Sequence, residues 1–250
     1  MMNNGNVGSA GWIAPDWPTA PTVHSFITTR FGGVSSGPYA SFNVGNYVGD
    51  DPQAVSENRK RLRGYLPNEP IYLQQIHGNQ VFNADVSHSG VPEADASVTT
   101  TRGVPLVIQT ADCLPILICD QAGTVVGAVH AGWRGLCADV IENTVQLMKK
   151  SGEDLFAYLG PAIGPNNFEV GSDVRDAFLA KDIRATDHFR EKDNGKWLAD
   201  LYGLARQRLA ALGIIHIHGG NFCTFAEKER FFSYRRDRTT GRMASVIWLS

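Results

Sequence analysis

Three side chains that commonly bind transition metals stand at the ends of apolar segments. His77 lies in LQQIHGNQV, Cys113 in TADCLPILICD and His130 in TVVGAVHAGWRG. Each segment is typical of a buried strand, and strand ends can bring side chains to one rim of a sheet. A cysteine thiolate and two neutral imidazoles suit zinc. Because three protein ligands leave a fourth position open, where the pKa of a water would fall to roughly 7, the pattern allows a catalytic metal site.

The residue before the cysteine is a candidate proton carrier. Asp112 directly precedes Cys113, and we expect its carboxylate to move a proton at the site. The same segment also permits a metal-free interpretation, in which Cys113 is a nucleophile activated by His130, as in a cysteine hydrolase or deamidase. His77 separates the two hypotheses, because only the metal site requires it.

Other histidines and cysteines leave two further alternatives open. A metal that only ties strands together in a non-catalytic protein would have a closed set of four ligands, and Cys223 or His216 is the natural fourth. His216 and His218, in the segment HIH, share one face of a predicted half-exposed strand and form a competing pair.

The elements predicted around these residues are those of a mixed α/β domain. Strands are predicted over residues 23–30, 71–76, 79–84, 95–99, 104–110, 114–119 and 124–130, and in LFAYLGPAIGP. Helices are predicted in DDPQAVSENRKRLRGYL, ADVIENTVQLMKKSG and WLADLYGLARQRLAALG, and a hairpin in RFFSYRRDRTTGRMASVIWLS. The 250 residues contain no repeat and no linker, so we expect one domain over residues 23–250 after a flexible N-terminal lead-in over residues 1–22.

Composition excludes several classes of partner. Lys and Arg number 23 against 25 Asp and Glu, which does not favour binding to nucleic acid or an acidic membrane. The four cysteines form no CxxC pair, which is typical of a reducing compartment. We see no signal peptide and no apolar run of about 18 residues, so a cytoplasmic protein without a membrane span is expected. Nothing in the composition indicates an oligomeric state.

Several blocks, in order, resemble the YfiH family. They are TTRFGGVS, LQQIHGNQV, ADASVTT, TADCLPILICD, AVHAGWRG, LGPAIGPNNFEVG and FFSYRRDRTTGRMASVIWL, and they run from about residue 23 to the C-terminus. The resemblance implies an α+β fold with four layers, α-β-β-α, related to a bacterial toxin deamidase that uses a Cys–His pair. It also implies that His77, Cys113 and His130 are the metal ligands.

The resemblance implies an enzyme of purine nucleosides. The expected activities are phosphorolysis of adenosine, inosine, guanosine and methylthioadenosine, and deamination of adenosine, with zinc as cofactor. The family has also been labelled multicopper polyphenol oxidase and peptidoglycan editing factor. A multicopper cluster needs more imidazoles than 7 histidines with one HxH pair supply. Oxidation of phenols through a single copper ion at the same ligands, and hydrolysis of a peptidoglycan precursor, stay open as alternatives.

Four polar residues are candidates for holding substrate. Phosphorolysis needs cations to hold phosphate, and Arg30 in TTRFGG and Arg134 in GWRG are the candidates. Gln75 points to the same side of its predicted strand as His77, and with Asn43 it is a candidate for binding the base or ribose. A basic cluster near the C-terminus is predicted to form a solvated hairpin end and is a weaker phosphate candidate: Arg235, Arg236, Arg238 and Arg242.

Overall fold

The computed structural model describes residues 11–250. Along the chain the elements are β1 (Val23–Ile27), α1 (Pro52–Arg63), β2 (Val81–Asn83), β3 (Ala96–Thr99), β4 (Leu106–Thr110), β5 (Leu114–Asp120), β6 (Val126–Ala131), α2 (Trp133–Cys137), α3 (Val140–Met148), β7 (Leu155–Leu159), β8 (Glu169–Val170), α4 (Ser172–Lys181), β9 (Phe189–Glu191), β10 (Trp197–Ala199), α5 (Leu201–Ala211), β11 (His216–Gly219), α6 (Tyr234–Asp237) and β12 (Met243–Leu249). Short 3-10 helices lie at Gly37–Tyr39, Gly152–Asp154, Ile183–His188 and Asp193–Gly195. No helix within this range is both long and apolar enough to cross a bilayer.

Two sheets stacked face to face form the centre of the molecule. The larger is a six-stranded mixed sheet in the order β11-β7-β5-β6-β3-β2, and the smaller is an antiparallel sheet in the order β1-β12-β4. A third, small sheet has the order β8-β10-β9. Helix α1 covers the outer face of the smaller central sheet, and α3 and α5 cover the outer face of the larger one. This confirms the mixed α/β fold and its four layers.

The alternation of side chains along the strands produces these layers. Leu106 and Ile108 of β4 face the larger sheet, while Val107 between them packs with Leu62 of α1. In β5, Leu117 belongs to the core between the sheets, and the residues on either side of it belong to the core under the helices. Because successive strand residues point to opposite faces, strands covered on both sides must be apolar throughout. The hydrophobic segments of the sequence follow from this burial.

Part of the predicted N-terminal lead-in packs onto the domain. Residues 1–10 lie outside the described part of the chain. Beyond them, Trp12 is only 7% exposed and stacks on Phe26 with ring centroids 5.2 Å apart, and Ile13 forms a β-bridge with Ile27. This packing does not agree with the prediction of a flexible segment: Trp12 covers the outer face of the smaller sheet, and Ile13 lies in the core between the two sheets.

The strand predicted over residues 71–76 does not form. Ile71 makes one isolated bridge with Leu106 of β4, and Gln74 makes another with Glu93, which is outside that strand. Beyond the first bridge, the backbone of Gln109 is bound by a side chain: Gln75 Nε2 donates to Gln109 O at 2.9 Å, and Gln109 N donates to Gln75 Oε1 at 2.8 Å. The side-chain amide thus occupies the hydrogen-bonding groups that a neighbouring strand would have used.

The predicted C-terminal hairpin is also wrong. Strand β12 lies between β1 and β4, and the residues before it form the short helix α6. Phe231 and Phe232 are fully buried, and Ser233 caps α6 by accepting a hydrogen bond from Arg236 N. The helix predicted over 197–213 is shorter in the structure. Its first three residues form strand β10, and α5 begins at Leu201.

Loss of the indole of Trp12 will test the packing of the N-terminal segment. We expect Trp12→Ala to lower the free energy of unfolding by about 3–5 kcal/mol, as for other large buried side chains. Urea denaturation measures this quantity. The control is Ile183→Ala, a change at a residue that is 71% exposed, for which we expect a change within about 0.5 kcal/mol. Equal effects of the two changes would contradict the packing described here.

Candidate metal centre

A buried carboxylate holds the turn that carries His77. Asp95, just before β3, is 0% exposed and accepts hydrogen bonds from His77 N at 2.9 Å and Gly78 N at 2.6 Å. His77 has a positive φ of 60°, which non-glycine residues rarely adopt. The hydrogen bonds to Asp95 hold this conformation, and the imidazole lies at the exposed end of the site.

The same carboxylate orients the second histidine. His130, near the end of β6, is 3% exposed, and its Nδ1 lies 2.7 Å from Asp95 Oδ1. The backbone N of His130 also donates to Asp95 O at 2.7 Å. With Nδ1 engaged, Nε2 is the nitrogen that remains for a ligand or a metal. A carboxylate behind a ligating histidine is the usual support of a metal-bound imidazole.

A second buried carboxylate holds the turn that carries Cys113. Asp112 has a φ of 86°, and its Oδ2 accepts from Arg235 N at 2.6 Å and from Ser233 Oγ at 3.0 Å, while Oδ1 accepts from Thr224 Oγ1 at 2.6 Å. Both oxygens are therefore occupied by the segment that leads to α6. These contacts position the turn before β5; the predicted role of Asp112 as a proton carrier stays a prediction.

The three candidate ligands converge. The ligand atoms of His77, Cys113 and His130 lie within 4.8 Å of one another, and the two imidazole centroids are 4.8 Å apart. A β-carbon on Gly132 would lie 3.0 Å from Cys113 Sγ and 3.6 Å from His130 Nε2, so only glycine leaves this space open. These three side chains offer the two imidazoles and one thiolate that zinc accepts as ligands.

Neither predicted fourth ligand joins the group. Within residues 11–250, the His, Cys and carboxylate side chains that converge are the three already described. Cys223 Sγ instead hydrogen-bonds with Asn167 Oδ1 at 3.3 Å and accepts from Gly164 N. His216 and His218 lie on β11 at the edge of the sheet, and both imidazoles are near the ring of Phe156 on the neighbouring strand β7. Three ligands with an open fourth position are typical of a catalytic zinc site, whereas structural sites are closed.

Electrostatics favour a thiolate at Cys113. Burial by itself raises the pKa of this thiol, but the charge and hydrogen bond of His130, with those of His77, outweigh burial and lower the pKa to about 6. Burial opposes the charged form of His130, yet Cys113 and Asp95 together raise its pKa. Asp95 is held ionised, because hydrogen bonds from His130, Gly78 and His77 overcome the effect of burial on its pKa. A thiolate is the form that binds a metal or attacks a substrate.

The converging side chains line a pocket of about 500 Å3. This volume lies in the range of small-molecule sites. The lining is largely polar or aromatic, and Tyr47 and Tyr234 are 84% and 50% exposed. Arg242 also lines the pocket, and the pKa of its guanidinium is lowered by burial but supported by the charges of Cys113 and Asp112.

Of the four predicted substrate residues, one lines the pocket, one lies behind it and two lie elsewhere. Gln75 lines the pocket, although its amide is bound to the backbone of Gln109. Asn43 is fully buried and binds its own loop and Arg242 N, so it supports the pocket from behind. Neither Arg30 nor Arg134 lines the pocket.

The contacts of these two arginines explain their position. Arg30 donates to Ala40 O and Lys228 O, in a different cleft. Arg134 is exposed, with its guanidinium 4.5 Å from the ring of Trp133. Both arginines therefore lie outside this pocket, and their predicted role in holding phosphate stays a prediction.

Of the basic cluster near the C-terminus, only Arg242 lines this pocket. Arg235 donates to Glu169 O, and Arg236 donates to three backbone carbonyls and to Asp237. Arg238 is exposed. Most of this cluster, predicted as a solvated hairpin end, therefore forms hydrogen bonds within the protein.

Sequence reasoning missed the supporting residues. Asp95 lies in the block ADASVTT, but no short spacing relates it to His77 or His130. Gly132 gave no signal of its own either, whereas Arg242 was named only as one member of the weaker basic cluster. The available clue was the presence of both blocks, ADASVTT and TGRMAS, among the segments that resemble the YfiH family.

Comparisons with known proteins agree with this architecture. The family model described as multi-copper polyphenol oxidoreductase laccase matches residues 24–250. The chain is 53% identical to a protein of Shigella flexneri named purine nucleoside phosphorylase YfiH, over 95% of this chain and 98% of that protein. A purine nucleoside phosphorylase of Pseudomonas aeruginosa is 52% identical over the same shares.

Solved structures agree as well. The structure of a Neisseria meningitidis protein superposes with a TM-score of 0.93 at 50% identity, covering 96% of this chain and 99% of that chain. YlmD from Geobacillus stearothermophilus superposes with a TM-score of 0.86 at 32% identity, covering 95% and 96%. The fold and the site define a four-layer α-β-β-α protein with a three-residue metal-binding group in a pocket. The chain belongs to the YfiH family, whose family model carries the laccase description.

The support that Asp95 gives to two ligands can be tested by removing its charge. We expect Asp95→Asn to weaken zinc binding about 10- to 100-fold, as other changes behind ligating histidines do. Competition with a chromogenic chelator measures the affinity. The control is Asp120→Asn, which changes a buried carboxylate that also accepts backbone N–H groups, but away from the site. An unchanged zinc affinity in Asp95→Asn would contradict the assignment.

The lowered pKa of Cys113 predicts a pH profile for the metal-free protein. The rate of alkylation of Cys113 by iodoacetamide should be half-maximal near pH 6, since the thiol is protonated and slow below its pKa and a reactive thiolate above it. Mass spectrometry of the labelled peptide measures the rate. His130→Ala removes the stabilising charge, so its midpoint should move to higher pH. A wild-type midpoint above pH 8 would refute the thiolate assignment.

Proposed function

We propose that this protein is a metal-dependent purine nucleoside phosphorylase. One observation carries the proposal: the open His77–Cys113–His130 group lies in a pocket of about 500 Å3 that has room for a nucleoside. The names of the relatives that share half of its residues support this choice of reaction. The laccase description of the family model names another chemistry, but this three-residue group offers ligands for a single metal ion.

The donor set fits zinc. Two imidazoles and a thiolate are borderline-soft ligands, and the space over Gly132 that a β-carbon would fill is left open. When bound, zinc would supply a Lewis acid with a free position for an oxygen or nitrogen atom of a ligand. Copper would compete for the same ligands where it is available.

The protein's own part in the reaction is to bind and orient. Asp95 holds the His77 turn and the His130 ring, and Asp112 holds the Cys113 turn, so the ligands need little rearrangement. In phosphorolysis, an oxygen of phosphate forms a bond to C1′ of the ribose while the C1′–N9 bond breaks. The electron pair of that bond goes to N9, the leaving purine takes up a proton, and dihydrogen phosphate gives up a proton. Fixed positions of both reactants supply much of the rate enhancement of such a displacement.

The substrates we propose are adenosine, inosine, guanosine and methylthioadenosine. The two exposed tyrosines and the amide side chains of the pocket suit a flat base with hydrogen-bonding edges. We also propose deamination of adenosine, in which water replaces the amino group at C6 and ammonia leaves, as in other zinc deaminases.

A second candidate function rests on the thiolate–imidazolium pair. The lowered pKa of Cys113 beside His130 is the arrangement of a cysteine hydrolase or deamidase that uses no metal. In this case His77 would be dispensable, whereas zinc binding requires it.

One experiment separates the two functions. Metal content by mass spectrometry and inosine turnover, with and without phosphate, are measured for wild type, His77→Ala and Cys113→Ser, with Cys137→Ser as a control outside the site. The proposal expects one zinc ion per chain and phosphate-dependent turnover in wild type and the control. The zinc content and the phosphate-dependent turnover should both fall at least about 100-fold in His77→Ala and Cys113→Ser, because each variant loses a metal ligand.

Other results would favour other functions. A metal-free wild type that turns over its substrate, and a His77→Ala variant that stays active, would establish the Cys–His pair instead. A full complement of zinc without phosphate-dependent turnover would refute the phosphorylase assignment.

A further inference from the structure

Arg242 contributes to the metal pocket a guanidinium that forms no salt bridge with the described residues. Among the described residues that line the pocket, it is the single Lys or Arg, and there is no Asp or Glu. No carboxylate within residues 11–250 forms a salt bridge with it. The charges of Cys113 and Asp112 partly compensate its burial, but neither side chain hydrogen-bonds with the guanidinium, so it can pair directly with an anion in the pocket.

The side chain is anchored in place. Its Nη1 donates to Thr240 O at 3.1 Å and to Gly241 O at 3.0 Å. Its backbone N donates to Asn43 Oδ1 at 2.8 Å. A β-carbon on Gly45 would lie 2.8 Å from Arg242 Cγ, so the loop presses closely on the stem of the side chain. The guanidinium is therefore preorganised.

The unused edge of the guanidinium has the geometry that binds oxyanions. With Nη1 engaged, Nε and Nη2 find no acceptor in the part of the chain that the structure describes. This edge presents two parallel N–H groups. Arg184 uses the same edge for a carboxylate, with Nε and Nη2 donating to the two oxygens of Asp182 at 3.0 and 2.7 Å. In Arg242 the corresponding edge is left for a ligand in the pocket.

We infer that Arg242 forms an oxyanion subsite in the metal pocket, and that its occupant is the inorganic phosphate that attacks the nucleoside. The choice of occupant rests on the proposed function, since phosphorolysis needs phosphate beside the ribose. Asn43 is a positioning residue for this subsite, because it ties Arg242 N to the loop of Gly45. A phosphate ester on the substrate has the same chemistry and is the rival occupant.

Kinetics with varied phosphate test the subsite. The zinc-loaded enzyme is compared with Arg242→Gln, which loses the charge, and Arg242→Lys, which keeps it but loses the paired donors. We expect the KM for phosphate to rise about 10- to 100-fold in Arg242→Gln and less in Arg242→Lys, the range for losing a charge-assisted hydrogen-bond pair. The KM for inosine should rise less than the KM for phosphate, because the subsite is assigned to phosphate and not to the nucleoside.

Controls separate the subsite from a structural role. Arg238→Gln changes an exposed arginine of the same segment and should leave all constants unchanged. Zinc content and thermal unfolding of each variant are checked, and Arg242→Lys keeps the test informative if Arg242→Gln does not fold. An unchanged phosphate KM, or an equal rise in the inosine KM, would overturn the inference. A phosphate KM that responds to Arg134→Gln instead would do the same.

Direct binding distinguishes failure of the subsite from failure of the proposed function. Calorimetric titration of inorganic phosphate into the zinc-loaded protein should show binding that Arg242→Gln weakens at least about tenfold. That result would support the subsite even if no phosphorolysis occurs. If inosine 5′-monophosphate binding depends on Arg242 and inorganic phosphate binding does not, the occupant is an ester phosphate and the assignment to the attacking phosphate is wrong.

Discussion

The site depends on the buried carboxylate of Asp95. An unpaired charge in the interior would be strongly destabilising, so its hydrogen bonds to the turn of His77 and to the ring of His130 are needed for the fold as well as for the site. The sheet explains why these groups meet. Strand β3, which follows Asp95, pairs with β6 in the register Ala96↔Val129, which brings the carboxylate beside His130. Two ligands separated by 53 positions in sequence thus share one acceptor.

A second constraint brings the cysteine to the same place. Strand β5 pairs with β6 so that Pro115 lies opposite His130, and Cys113 comes two residues earlier, close to Gly132. The turn before β5 has an unusual backbone conformation that the hydrogen bonds of Asp112 hold. Because these bonds come from the segment that leads to α6, the C-terminal part of the chain is joined to the ligand turn. Arg242 belongs to the same C-terminal part of the chain, so this connection also places it near the ligand turn.

The strands of the central sheets and the three metal ligands could be predicted from the sequence, whereas the C-terminal segment and the supporting carboxylates could not. Continuous apolar segments predicted most strands of the two sheets, and the ligands His77, Cys113 and His130 stood out as reactive side chains at strand ends. The hairpin failed because Phe231 and Phe232 pack in the core between the sheets instead of pairing with β12. The phosphate candidates Arg30 and Arg134 lie outside the metal pocket, because charge alone says nothing about which cleft a side chain enters. Supporting carboxylates such as Asp95 depend on strand register, which no local pattern reveals.

X-ray absorption at the zinc edge of the purified protein tests the central claim, a three-ligand metal centre open to a ligand in the pocket. We expect a first shell of two nitrogens near 2.0–2.1 Å, one sulfur near 2.3 Å and one light atom that the protein does not supply. Adding inosine and phosphate should change the light-atom contribution while the sulfur and the two nitrogens stay. A shell with a second sulfur or a third imidazole, unaltered by substrate, would show a closed structural site and contradict the account.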